Sequence, residues 1–303
     1  MLLLPKNAKL IGQGITGAEG SRALEWSQAY GTEIIAGVTP GKGGLTHMGI
    51  PIFNTVKEAV DSVGEVDGSV QFVPPLFTKD AVLEALEAGI KWILIGAEKV
   101  PTKDSAIIYA KAKEIGASVI GPSSVGLICP SRKLKIGTIA GGAPERVFPK
   151  GNVAIISKSG GMTSEIGSHL KNNGLGASWA VGIGGDRIIC SDYVDFLLEL
   201  EHDPETKATV IFGELGGTYE ERVAQYVKAG KIKKPVIAFI AGEFTLNLPN
   251  DVQFGHAGAI IEGDRGLPDK KRNLLRESGV KVAENLDEIA ELVKGSLQLS
   301  SRT

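Results

Sequence analysis

The sequence predicts an α/β protein of two domains, each built on a parallel, doubly wound sheet. Three observations carry this. Short aliphatic or β-branched runs alternate with longer stretches of helical periodicity along the whole chain. That alternation stops once, at a turn-rich segment over 141–151 (Gly141-Gly142-Ala143-Pro144 to Pro149-Lys150-Gly151), and then begins again. The length of 303 residues is enough for two cores of about 150 residues each.

In the first half, strands are expected at Ala8-Lys9-Leu10-Ile11, Glu33-Ile34-Ile35-Ala36, Gly68-Ser69-Val70-Gln71-Phe72, Trp92-Ile93-Leu94-Ile95 and Ser118-Val119-Ile120. Amphipathic helices fall between them over 19–30, 80–88 and 104–115. In the second half the strand signals lie at 152–157, 178–183, 208–212, 235–240 and 280–282. The expected domains are 1–140 and 151–303.

Composition narrows the function classes. A formal net charge of −2 gives no global basic field for nucleic acid or an anionic membrane. Apolar runs fall short of the 18 or so residues that a membrane span needs. Cys129 and Cys190 stand far apart, in neither a metal-ligand nor a redox spacing, and Met1-Leu2-Leu3-Leu4-Pro5-Lys6 lacks a cleavable signal pattern. These features predict a cytoplasmic chain with no resident metal. Glycine is frequent, 40 of 303 residues, which predicts many close backbone approaches.

The first glycine loop follows the first strand as Gly12-Gln13-Gly14-Ile15-Thr16-Gly17 and opens a helix. In that setting the glycines allow a tight turn and bring a pyrophosphate onto free N–H groups at the helix start. An NAD site would also want an acidic residue at the end of the second strand, but that strand ends Ala36-Gly37-Val38. A second turn, Thr39-Pro40-Gly41-Lys42-Gly43-Gly44, supplies a lysine instead. A cation there suits a phosphorylated adenine nucleotide such as coenzyme A better than a ribose diol.

Three strand ends of the second half carry comparable turns: Ser157-Lys158-Ser159-Gly160-Gly161-Met162-Thr163-Ser164, Gly182-Ile183-Gly184-Gly185-Asp186-Arg187 and Gly213-Glu214-Leu215-Gly216-Gly217. In a parallel sheet they converge on one crevice, where helix starts form an anion cradle. His256, within Gln253-Phe254-Gly255-His256-Ala257-Gly258-Ala259, is one of only four histidines. Its flanking glycines let another group approach closely; a loop histidine bonded to a backbone carbonyl is the plainer reading. Glu214 is the carboxylate expected on its imidazole, fixing the tautomer and leaving the other nitrogen free as nucleophile.

The order of these motifs, with Phe53-Asn54-Thr55-Val56, Gly121-Pro122 and Gly255-His256-Ala257-Gly258-Ala259, closely resembles the α subunit of succinyl-CoA synthetase and its relatives over essentially the whole chain. The resemblance implies an N-terminal Rossmann-like CoA-binding domain, then a flavodoxin-like domain whose histidine is transiently phosphorylated. It implies CoA contacts at Thr16, Gly17, Ala18, Glu19 and Lys42 and near Gly96, Ala97 and Glu98. His256 would be the phosphohistidine and Glu214 its partner. The glycine-rich strand ends themselves place Ser159, Gly160, Gly161, Ser164, Gly185 and Arg187 as the residues expected around the phosphate and substrate. The resemblance also implies a β subunit of ATP-grasp fold holding ATP with Mg, in a heterodimer or heterotetramer.

Three positions depart from the succinyl-CoA synthetase pattern: Ser123-Ser124-Val125 after Gly-Pro, Ser164 before Glu165, and Arg187 after Gly-Gly-Asp. Ser159-Gly160-Gly161-Met162, Gly184-Gly185-Asp186-Arg187 and Val252-Gln253-Phe254-Gly255-His256-Ala257-Gly258 look instead like the corresponding part of ATP-citrate lyase and citryl-CoA synthetase. An extra guanidinium suits a tricarboxylate, so citrate is the expected acid and succinate the alternative. With no citrate-synthase-like domain in the sequence, ligation rather than cleavage is expected. An NAD-linked oxidoreductase and a non-catalytic CoA-binding protein remain the competing readings from other classes.

Overall fold

The computed structural model describes residues 1–242, 255–261 and 266–300. Two seven-stranded sheets organise the described residues. The first contains β1 (Lys9–Gln13), β2 (Glu33–Val38), β3 (Thr46–His47), β4 (Ile50–Phe53), β5 (Gly68–Gln71), β6 (Trp92–Ile95) and β7 (Ser118–Ile120), in the order β3-β4-β2-β1-β5-β6-β7. All pairs in it are parallel except β3 with β4. Strand order reverses between β1 and β5, so the ligand crevice expected of such a sheet lies at their carboxyl ends.

The second sheet contains β8 (Gly126–Cys129), β9 (Leu134–Gly137), β10 (Lys150–Ser157), β11 (Ala177–Gly182), β12 (Ala208–Gly213), β13 (Val236–Ile240) and β14 (Lys281–Ala283). Its order is β14-β13-β12-β10-β11-β8-β9. The stretch 126–137 lies before the turn-rich segment in sequence, yet it forms an antiparallel ribbon on the edge of this second sheet. The hand-over between sheets therefore falls at 121–125. Strands β10 and β12 are buried on both faces, as parallel strands covered by helices must be, which is why they read as unbroken apolar runs.

Three of the described helices start where a short polar side chain satisfies one of the first N–H groups. Helix α1 (Ala18–Tyr30) follows Gly17, and α2 (Val56–Val63) is capped by Thr55 through Glu58 N at 3.1 Å. After α3 (Thr78–Glu87) and α4 (Thr102–Ile115), α5 (Gly160–Asn172) is capped by Ser159. Helix α6 (Tyr193–His202) opens with a reciprocal Asp192–Asp195 capping box. Helices α7 (Tyr219–Lys228), α8 (Pro268–Glu277) and α9 (Leu286–Ser300) complete the described set.

One apolar cluster runs through both sheets, from Leu10, Trp92 and Ile120 to Leu127, Trp179 and Tyr193. The N-terminal segment lies in the seam. Leu3 N donates to Glu199 Oε2 at 2.9 Å, and Trp92 Nε1 donates to Leu2 O at 2.9 Å, so it is tied to both halves. Further bonds cross the seam: Ser124 Oγ to Gly182 O at 2.6 Å, Ser191 Oγ to Val119 O at 2.7 Å and Cys190 N to Gly121 O at 2.9 Å.

The β8–β9 ribbon depends on Gly126, whose φ is +112° and where an added Cβ would stand 1.8 Å from Ile136 O. Gly126→Ala should therefore lower unfolding free energy by at least about 2 kcal/mol, the sum of left-handed strain and displaced backbone. Urea unfolding checks this; a change below about 0.5 kcal/mol would show that the ribbon gives way freely.

Candidate active site

Two adjoining cavities occupy the carboxyl edge of the first sheet. One, of about 730 Å³, is lined by Thr16, Gly17, Thr39, Lys42 and Phe77 among others. The other, of about 580 Å³, is lined by Gly17, Ala18, Glu19, Gly96, Ala97 and Glu98 among others. The two share Gly17, Phe72, Val73 and Pro74. All eight residues expected at the CoA site thus line one continuous surface.

Local chemistry explains the surface. Gly14 sits at φ +77°, and an added Cβ at Gly20 would fall 2.6 Å from Gly14 O, so the loop packs directly on the first turn of α1. Lys42 Nζ donates to Thr16 Oγ1 at 3.1 Å, and Thr16 Oγ1 donates to Thr39 Oγ1 at 3.2 Å. The lysine turn is held from below by Asn54, whose Oδ1 accepts Gly41 N at 2.9 Å and Gly43 N at 3.0 Å. An ammonium and the free N–H groups of a helix start face the same cavity wall. That pairing suits a phosphorylated ligand.

The second site sits where β10, β11 and β12 end side by side: Ser157 pairs with Gly182 and with Phe212. His256 Nδ1 lies 2.8 Å from Glu214 Oε2. A carboxylate only accepts, so Nδ1 carries the hydrogen, and in the neutral ring Nε2 keeps its lone pair. The hydrogen bond that His256 donates to Glu214 raises the His256 pKa, burial works against it, and the charges of Glu214 and Glu98 add to the rise. The ring is 32% exposed and borders a cavity of about 300 Å³ shared with Glu214 and Gly242. Gly185 packs flat on the imidazole, where an added Cβ would stand 2.4 Å from Cγ and Cδ2.

Below Glu214 lies a buried ion cluster that sequence reasoning missed. Glu220 is paired with Lys271 and, at 3.4 Å, with Lys158. Lys271 Nζ also donates to Gly216 O at 2.6 Å, and Glu214 N donates to Glu220 Oε1 at 3.4 Å. Burial pushes the Glu220 carboxyl up, but the two ammonium groups outweigh it and hold its pKa down to about 2. Burial likewise opposes charge on Lys158, and the carboxylates of Glu220 and Glu214 reverse that. The available signal was a charged residue at a strand end followed by glutamate six positions after Glu214.

Other expected residues are placed as follows. Ser159 caps α5 through Met162 N at 3.3 Å, and Gly161 is exposed in that first turn. Gly160 packs on Val125, where a Cβ would meet Cγ1 at 2.1 Å. Ser164 lies a turn further along α5, half-buried, and Arg187 is exposed. Gln253 and Phe254 lie outside the described residues. Among the described residues no helix is long and apolar enough to cross a membrane.

The depressed Glu220 pKa carries a stability consequence with a definite sign. A carboxylate held below its unfolded value stabilises above that value, near 4.5, and the contribution is lost as pH falls towards about 2. That loss should amount to on the order of 3 kcal/mol. Glu220→Gln should flatten this acid segment of the stability curve by up to one proton. Denaturant unfolding between pH 5 and pH 2, bounds set by the ordinary carboxylate range, tests it, and an unchanged slope would overturn it.

Two family models match the chain. Residues 5–99 match the CoA binding domain and residues 156–281 match CoA-ligase. The chain is 44% identical over 292 residues to the α2 subunit of an ADP-forming succinate–CoA ligase from Archaeoglobus fulgidus, covering 96% of this chain and 98% of that one. It is 39% identical to an ADP-forming sulfoacetate–CoA ligase subunit from an Acholeplasma species, covering 97% of each. The solved ATP citrate lyase of Methanothrix soehngenii, in complex with citrate and coenzyme A, superposes with a TM-score of 0.90 at 30% identity. That match covers 98% of this chain and 50% of the lyase chain, so this chain spans half the lyase's length. A CoA-binding domain joined to a CoA-ligase domain, with this identity over nearly its whole length, makes the chain a member of the family of α subunits of ADP-forming CoA ligases.

Proposed function

We propose that the chain joins a small polycarboxylic acid to coenzyme A through a phosphohistidine at His256, acting with a β subunit of ATP-grasp fold. That partner would hold ATP with Mg, and the assembly would be an αβ heterodimer or its dimer, in the cytoplasm. The observation that carries the reading is the Glu214–His256 pair, at 2.8 Å, beside glycine-lined strand ends.

In the proposed cycle Nε2 of neutral His256 attacks the terminal phosphorus of ATP, a P–O bond breaks and ADP leaves. Glu214 accepts the Nδ1 hydrogen throughout and stabilises the positive ring that the N–P bond creates. A carboxylate oxygen of the acid then attacks phosphorus, the N–P bond breaks, and an acyl phosphate forms with the neutral ring restored. The sulfur of CoA, having lost its proton, attacks the acyl carbon and inorganic phosphate leaves. The start of α5 and the glycines of the 182–185 and 213–217 turns would offer backbone N–H groups to the phosphoryl oxygens. The cavities around Lys42, Thr16 and Gly96 to Glu98 would hold CoA.

Citrate as the acid is supported by Arg187 after Gly185-Asp186 and by the likeness to ATP citrate lyase. Succinate is supported by the identity to the succinate–CoA ligase subunit. Alkaline-quenched phosphopeptide mass spectrometry separates them. With the partner and ATP, His256 should gain an acid-labile phosphate, discharged by CoA with citrate. Discharge by succinate alone would overturn the citrate reading, and an unphosphorylated His256 beside an active partner would overturn the mechanism.

The raised His256 pKa gives a second expectation. The ring must be neutral to attack, so phosphorylation rises with pH through that pKa. Glu214→Gln removes the main cause of the rise and should move the acid limb to lower pH while slowing phosphorylation about 10²-fold or more. Single-turnover phosphorylation against pH measures both; an unmoved limb would show that Glu214 does not govern the ring.

A further inference from the structure

We infer that Asp186 is a positioning residue that holds the CoA-binding loop against the phosphohistidine, and that it serves thioester formation rather than phosphorylation. The inference rests on the reading of His256 given above. Asp186 is buried, and its two oxygens reach across the seam into the first half of the chain. Oδ1 accepts Lys99 N at 3.3 Å and Oδ2 accepts Val100 N at 3.2 Å. These N–H groups follow Gly96, Ala97 and Glu98, which line the 580 Å³ cavity. Lys99 itself stands at φ +59°, a left-handed conformation that costs a non-glycine residue about 1 kcal/mol and persists where neighbours impose it.

The backbone of the same turn grips the histidine. Gly185 O accepts Gly258 N at 2.9 Å, and an added Cβ at Gly258 would stand 3.0 Å from Asp186 O. Gly185 also packs on the imidazole face. Two consecutive residues thus touch the phosphoryl-carrying ring on one side and the end of the CoA cavity on the other. The CoA sulfur must come within about 3.5 Å of the acyl carbon to react, and a misplacement of 1 Å can cost about 10²-fold.

The seam does not need Asp186 to stay closed. Leu2 to Leu4, Trp92 and the bonds from Ser124, Cys190 and Ser191 span it independently. Asp186→Ala should therefore fold. Asp186→Asn keeps one accepting oxygen and should fall between the two.

The test uses the full chain assembled with its β subunit and follows two half-reactions by rapid quench. In Asp186→Ala, phosphorylation of His256 by ATP should stay within about threefold of the parent, whereas thioester formation from the phosphorylated enzyme, CoA and the acid should fall at least about tenfold. Asp186→Asn should show a smaller loss of thioester formation. Parallel loss of both half-reactions would reveal a merely structural residue, and unchanged thioester formation in Asp186→Ala would overturn the inference alone. Failure of the parent enzyme to phosphorylate His256 would instead overturn the functional reading, and the inference with it.

Discussion

Glu220 is the fixed point of the second domain. Its carboxylate has no solvent exposure and lies between Lys158 and Lys271, two ammonium groups that are themselves buried. Such a cluster costs several kcal/mol per ion in desolvation and is weak evidence for stability by itself. Its effect here is geometric. Lys271 fixes Gly216 O, Glu220 receives Glu214 N, and Tyr193 donates to Phe212 O at 2.6 Å, so both ends of the 213–217 turn are tied down. The direction of the Glu214 side chain follows from that anchorage, and the hydrogen on His256 Nδ1 follows from Glu214.

Glycine supplies the second constraint, at the places where three turns meet. An added Cβ at Gly216 would fall 2.4 Å from Gly258 O and 2.6 Å from Ile260 N, and one at Gly185 would enter the His256 ring. Side chains are excluded so that backbone can meet backbone. In the proposed cycle the phosphoryl group would therefore meet backbone N–H groups, which bind anions strongly without adding mobile charge. The same logic holds at Gly14 and Gly20, where the first loop rests on α1.

Much of this was legible in the sequence because apolar runs and glycine clusters are local signals. The parallel core strands, the glycine loop before α1, Lys42 near Thr16 and the Glu214–His256 pair all follow from residue types in order. What escaped has a common cause. Strand β3 is two residues long, β4 contains Pro51, and β8 and β9 flank a short turn, so none of them shows a run that periodicity can detect. The ribbon's membership of the second sheet is a long-range pairing. The Lys158–Glu220–Lys271 cluster joins positions up to 113 residues apart, a span taken from residues 158 and 271. Asp186 could be read as part of a motif, but not as an acceptor for Lys99 and Val100.

The charge pattern around His256 bears on how the proposed intermediate could be both formed and released. Glu214 and Glu98 favour a positive ring, and Lys158 opposes it from the buried side. A strongly cationic imidazole would lack the lone pair needed to attack ATP, whereas a ring without its carboxylate would be a poor leaving group once phosphorylated. The buried ammonium therefore tempers a rise that two carboxylates would otherwise push further. With Nδ1 hydrogen-bonded to Glu214, the ring of the proposed intermediate would keep its positive charge, and its N–P bond would stay labile enough for transfer to a carboxylate. On this argument the lysine beneath the glutamate is as much a part of the balance as the glutamate itself.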